Sequence, residues 1–113
     1  MKKLIVDDKV AVVYAPGWGA GWYSWHGIEA LLFDPSLVYM VEEKEKSKSP
    51  EEILNWIANI EDYCKQNYGD DNYYGGAEDL VVDWLPVGTE FQVSEYDGNE
   101  SLLIKEQERW IKA

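Results

Sequence analysis

The sequence predicts an α+β domain: an antiparallel β-sheet of about five strands with two α-helices packed on one face. Three observations carry this. Short β-branched or alternating runs lie towards both ends of the chain, separated by Asp, Gly and Pro turns. In mid-chain, Asp34-Pro35 and Ser49-Pro50 each set an N-cap residue before a proline, the signal of a helix start. The second of these opens an apolar series at helical spacing that stops at Gly69.

Leu4 to Val6 and Val10 to Tyr14 flank Asp7-Asp8-Lys9 and read as a hairpin or as two tightly connected strands. Val10-Ala11-Val12-Val13 is apolar on both faces, which fits a central, covered strand. Pro16 ends it. Glu29-Ala30-Leu31-Leu32-Phe33 suits either a strand or a helical turn, and periodicity does not decide between them. Asp34 then caps a helix with Pro35 at its first position and Leu37, Met40 and Val41 on one face. The charged run from Glu42 to Lys48 reads as its frayed end and a solvated linker.

Ser49, Pro50 and Glu52 spell a capping box. The helix they open carries Ile53, Trp56, Ile57, Ile60, Tyr63 and Cys64 on a face that should lie against a sheet. A loop over residues 70–77 holds Tyr73-Tyr74-Gly75-Gly76. Leu80 to Leu85, Thr89 to Ser94 and Ser101 to Ile104 follow as three strands of a meander, turning at Pro86-Val87-Gly88 and Asp97-Gly98. Arg109-Trp110-Ile111 reads as a last short strand or as a lock on the core.

At 113 residues the chain has material for one domain, residues 1–113. A net charge of −12 opposes nucleic acid and anionic membranes, because affinity for phosphate backbones comes from Lys and Arg. No basic residue stands between Lys65 and Lys105, an interval with nine carboxylates. Cys64 has no second cysteine to pair with, which suits a reducing cytoplasm, and no signal-peptide pattern is read at the start. Residues 10–28 contain no Lys, Arg, Asp or Glu, but their proline and glycines are wrong for a membrane span. The expectation is a cytoplasmic protein without a membrane partner.

That uncharged window holds the sequence's most unusual stretch. In residues 16–27, Trp18, Trp22, Trp25, Tyr23 and the only histidine, His26, stand among four glycines. Large rings on a permissive backbone suit recognition: rings stack on planar groups, and glycine N–H groups can meet a phosphate or carbonyl. The alternatives are that the rings cover one end of the sheet or form a subunit interface. The ligand-binding candidates are Trp18, Gly19, Gly21, Trp22, Trp25 and His26, joined by Tyr73 and Tyr74 of the second aromatic loop and by Lys105 and Arg109 as the cationic pair for a phosphate. A salt bridge is the competing role for Arg109. His26 has no partner for a metal site, and a hydrogen-bonded structural role competes with a ligand role. Glu78, Asp79 and Asp83 read first as a solvated face and second as an acid/base or hard-metal set. Cys64 reads as a core residue. No cofactor, metal or catalytic residue is assigned.

Residues 12–25 resemble the strand-to-loop segment that supplies oxyanion donors in α/β-hydrolases. The G-x-S-x-G elbow which that family needs is missing, so a small hydrolase is the least favoured reading. Pro16-Gly17-Trp18-Gly19-Ala20-Gly21-Trp22, Leu32-Phe33-Asp34-Pro35, Tyr74-Gly75-Gly76, Gly88-Thr89-Glu90-Phe91 and Glu95-Tyr96-Asp97-Gly98-Asn99-Glu100-Ser101 together resemble a family of small proteins encoded by bacteriophages and prophages. The resemblance implies a counter-defence protein, and the Thoeris anti-defence proteins, which sequester nucleotide signals in an oligomer, are a comparison. The expectation is a non-enzymatic binder, homo-oligomeric, that takes a small planar nucleotide-like ligand. The alternative is an acidic inhibitor that imitates nucleic acid on a bacterial defence protein or nuclease.

Overall fold

The structure, a computed structural model, describes residues 1–17 and 21–105. Arg109 to Ile111, expected to return to the core, lie outside them. In chain order the elements are β1 (Ile5–Val6), β2 (Lys9–Tyr14), α1 (Tyr23–His26), α2 (Ala30–Phe33), α3 (Pro35–Lys46), α4 (Pro50–Tyr68), a 3-10 turn (Ala77–Asp79), β3 (Val81–Pro86), β4 (Phe91–Tyr96) and β5 (Asn99–Ile104). The fold is α+β, and its five strands are all antiparallel. The undecided stretch at residues 29–33 resolves as one helical turn.

β2 is the strand around which the rest is laid. β1 joins it through Asp7 (φ 51°) and Asp8 (φ 63°), both left-handed, as a type I′ turn requires. β3 runs along its other side from Lys9↔Pro86 to Tyr14↔Val81. Successive side chains of β2 point to opposite faces. Ala11 and Val13 enter a core shared with Leu37, Val38 and Val41 of α3, Ile60 and Cys64 of α4, Trp22 and Tyr74. Val10 and Val12 enter a second core with Leu32 and Phe33 of α2, Leu85 of β3, and Phe91, Val93, Leu102 and Ile104 of β4 and β5. The expected covered strand is therefore covered on both sides, and its two-sided apolar pattern follows. Burying one Val stabilises by about 1.5–3 kcal/mol, and this strand buries three together with Ala11.

The strands divide into two sheets, β1-β2-β3 and β4-β5, so the expected three-strand meander does not form. The edge of β3 explains the break. The Val87 amide donates to the Asp8 carbonyl (2.9 Å), and alternation along the ladder turns Trp84 and Pro86 away from β2. Proline has no N–H to offer, and the Trp84 amide donates to its neighbour's carboxylate, Asp83 Oδ1 (2.9 Å). A fourth strand finds no ladder there. The chain turns off at Gly88 (φ 88°), and β4-β5 closes its own hairpin through Asp97 (φ 50°) and Gly98 (φ 83°).

Both helix starts form as read. Asp34 Oδ1 accepts from the Ser36 and Leu37 amides (2.8 and 3.2 Å), and Ser49 Oγ accepts from the Glu52 amide (3.1 Å). Asp34 Oδ2 also accepts from the Tyr63 and Tyr68 hydroxyls of α4 (2.6 and 2.5 Å), tying the two long helices together. α4 packs chiefly on α3 and the 3-10 turn, and its Ile60 and Cys64 reach the core that Ala11 and Val13 of the sheet enter. The expected solvated linker is also corrected. α3 continues to Lys46, and Lys44 is buried, its ammonium donating to the carbonyls of Ala77, Glu78 and Leu80 (3.1, 2.7 and 3.1 Å). Burial pushes the Lys44 pKa down, while Glu45, Asp79 and Glu78 oppose that shift. Among the described residues no helix is long and apolar enough to cross a membrane.

Replacing Lys44 tests that anchor. Lys44→Ala should lower unfolding stability by about 2–4 kcal/mol in urea titration, because three buried carbonyls lose their donor. Lys44→Met should recover only the part due to the aliphatic stem. A Lys44→Met protein as stable as the wild type would show that the carbonyl bonds contribute nothing net.

Candidate functional site

The described residues between β2 and α1 belong to no strand or helix, so their placement depends on what their backbone amides find elsewhere. They find Glu100. This carboxylate, on β5, is wholly buried. Oε1 accepts from the Ala15 amide (3.0 Å); Oε2 accepts from the Trp22 and Ser24 amides (3.0 and 2.8 Å) and from Ser24 Oγ (2.9 Å). The Glu100 amide in turn donates to the Ala15 carbonyl (2.8 Å). Both described ends of the aromatic loop are thus fastened to one residue of the second sheet. Sequence reading passed over Glu100 as a site residue. The signal was its register: it shares a strand face with Leu102 and Ile104, which point into the core.

So fixed, the loop brings the two aromatic stretches together. Gly76 (φ 91°) approaches so closely that a Cβ there would collide with the Gly21 carbonyl oxygen, so only glycine fits. Trp22 is fully buried in the first core, its ring edge-on to His26 (4.9 Å between centroids, 88°) and tilted against Tyr74 (6.3 Å). Tyr74 is buried too, and its hydroxyl donates to the Gly69 carbonyl (2.6 Å). These two rings, expected to meet a ligand, meet each other.

Trp25 and Tyr73 are the rings left outside, 61% and 55% exposed, in an edge-on pair at 5.4 Å and 67°. Each rests on a glycine: the Trp25 indole lies where a Cβ of Gly21 would come within 3.2 Å of its Nε1, and the Tyr73 ring covers the place a Cβ of Gly75 would occupy. The glycines among the aromatics thus seat the chain's own rings. Trp18, Gly19 and Arg109 lie outside the described residues. Lys105 is not gathered with the others. It pairs with Glu90 (2.8 Å) at the far end of the β4-β5 hairpin, five residues along β5 from Glu100 or roughly 17 Å at about 3.3 Å per residue.

His26 is structural in its contacts. Its Nδ1 accepts from the Ile28 amide (2.9 Å), which leaves the proton on Nε2, and among the described residues Nε2 and the Trp22 Nε1 have no partner. Burial lowers its pKa from 6.5 to about 4, against the pull of Glu100 in the other direction. Burial also pushes the Cys64 thiol up to about 12, with Asp34 and Glu61 adding to it, which makes it a poor nucleophile. Among the described residues no group of three or more His, Cys, Asp or Glu is placed to hold a metal ion. Asp79 stands over Gly17, Asp83 holds the Trp84 amide, and Glu78 is exposed.

Comparisons with protein-family models, with curated proteins and with solved structures find no match to this chain.

The neutral His26 sets a pH dependence. A histidine whose folded pKa is depressed binds fewer protons than the unfolded chain, so its stabilising contribution is complete above pH 6.5 and is lost as pH falls toward 4. The stability advantage of the wild type over His26→Asn, measured by denaturant titration, should shrink between about pH 7 and pH 4.5. An advantage that stays constant across that window would contradict a half-buried ring held neutral.

Proposed function

We propose that the protein is a non-catalytic binding protein whose contact surface is the exposed Trp25–Tyr73 pair with the carboxylates around it. The observation that carries this reading is the contrast within one cluster: Trp22, His26 and Tyr74 form a packed base, and Trp25 and Tyr73 stand on it facing solvent. Exposed Trp and Tyr on a rigid base are what a binding hot spot needs, because two-torsion rings lose little freedom on contact. Asp70 and Asp71 lie in the loop of Tyr73, and the sequence supplies no Lys or Arg from residue 66 to 104. This composition favours a basic protein surface as the occupant, with charge steering the encounter and the rings anchoring it. With the resemblance to phage-encoded proteins, we propose a bacterial nuclease or defence protein as the class of partner.

A second reading keeps the planar, nucleotide-like ligand. It is favoured by the rings' angle, which leaves one face for stacking beside an edge. It is opposed by the position of Lys105, which puts the described cationic candidate far from the pair.

Affinity capture from bacterial lysate separates the two. Immobilised wild type should retain a basic protein that about 0.5 M salt releases, and the Trp25→Ala/Tyr73→Ala double variant should hold it at least about tenfold more weakly. Equal retention by the double variant would contradict the reading. Saturable quenching of tryptophan fluorescence by nucleotides, lost in Trp25→Ala, would replace it with the second.

A further inference from the structure

The second candidate surface lies away from the aromatic pair, along the edge of β4. The Lys105 amide donates to the Glu90 carbonyl (3.0 Å), so Glu90/Lys105 is a hydrogen-bonded pair of the β4-β5 ladder. Alternation then turns the N–H and C=O of Phe91 and Val93 away from β5. The same rule turns Glu100 outward on the other strand, where its amide indeed reaches Ala15. Among the described residues nothing bonds the outward groups of Phe91 and Val93. They border a cleft of about 630 Å³ whose walls include Tyr23, Leu32, Phe33 and Val93, with Lys3, Glu29 and Glu90 at its margins.

Two of the other edges are blunted. β1 is two residues long, and β3 presents a proline and an amide already taken by Asp83. Proteins protect open edges because an open edge recruits strands. β4 lacks that protection at Phe91 and Val93, beside a cleft whose lining mixes Tyr23, Leu32 and Phe33 with Lys3, Glu29 and Gln92.

We propose that the β4 edge at Phe91 and Val93 is a docking site for an extended, basic segment of another protein, which adds to β4 as a strand and sends alternate side chains into the cleft beside Tyr23 and Val93. Backbone groups specify an extended chain, since only a strand offers N–H and C=O at matching intervals. The sign comes from the chain as a whole, which carries −12: at the cleft Glu90 is paired with Lys105 (2.8 Å) and Lys3 lies over the Phe33 ring (4.5 Å), which leaves Glu29 as the carboxylate open to a cation. A second copy of this chain would bring the same −12 to the edge. The proposal borrows from the reading above only the partner's charge; strand addition follows from the β4 backbone alone.

The test is an amide-resolved NMR titration with a library of pentapeptides that alternate Lys or Arg with Val, Ile, Leu or Phe. Members of the library should perturb residues 89–93, slow exchange of the Phe91 and Val93 amides about tenfold or more, and lose about tenfold in affinity when their alternate amides are N-methylated. Val93→Pro removes an outward donor without touching the β5 ladder and should abolish the same perturbations. N-methylated peptides that bind equally well, or no perturbation at residues 89–93 at millimolar peptide, would overturn strand addition. Perturbation confined to Trp25 and Tyr73 would overturn it as well while leaving the aromatic surface standing. Tighter binding of Glu-containing counterparts would overturn the basic partner.

Discussion

The buried carboxylate of Glu100 is the constraint on which the rest depends. Taking a carboxylate out of water costs several kcal/mol unless its oxygens are satisfied. Here four donors converge on it, three of them backbone amides that would otherwise be orphaned in a loop without a ladder. Hydrogen bonds to a charged group contribute about 1.5–3 kcal/mol each, net of desolvation, so removing any donor leaves part of the buried carboxylate unsatisfied. The carboxylate ties β5, the end of β2 and the start of α1 into one unit and docks the second sheet on the first.

Everything at the candidate surface inherits its order from that tie. Trp22 hangs from an amide held by Glu100, so its ring is driven into the core. His26 and Tyr74 pack on Trp22, and the Gly21–Gly76 approach closes the second loop over the first. Once the base is full, Trp25 and Tyr73 have nowhere to go but outward. Lys44 and Asp34 do the same work on the helical side: three carbonyls more than thirty residues away accept from Lys44, and Asp34 joins two local amides to the hydroxyls of Tyr63 and Tyr68.

The sequence made readable what depends on neighbours along the chain. Asp34-Pro35 and Ser49-Pro50 cap helices because capping is decided within four residues, and Asp97-Gly98 turns because left-handed backbone is a local preference. The two-sided apolar pattern of residues 10–13 likewise announced a covered strand. The partition into two sheets was not readable, since it turns on which edge of β3 carries Pro86 and the Asp83-bound amide. The burial of Lys44 was hidden in a charged run because its three acceptors lie more than thirty residues away. At the candidate surface, composition pointed to two aromatic loops, and these pack together, but the division into buried Trp22 and exposed Trp25 was decided by Glu100, whose partners stand 76 to 85 residues from it. Ser24, which bonds it twice, was likewise unmarked.

Native-state hydrogen exchange at three amides tests this account most directly. If Glu100 holds the loop, the Ala15, Trp22 and Ser24 amides exchange together and slowly, with protection approaching that of β2, although Ser24 itself is exposed at the surface. If instead they exchange as fast as the amides of the Asp97-Gly98 turn, or independently of one another, the carboxylate does not fasten the loop, and the presentation of Trp25 and Tyr73 on a rigid base loses its physical cause.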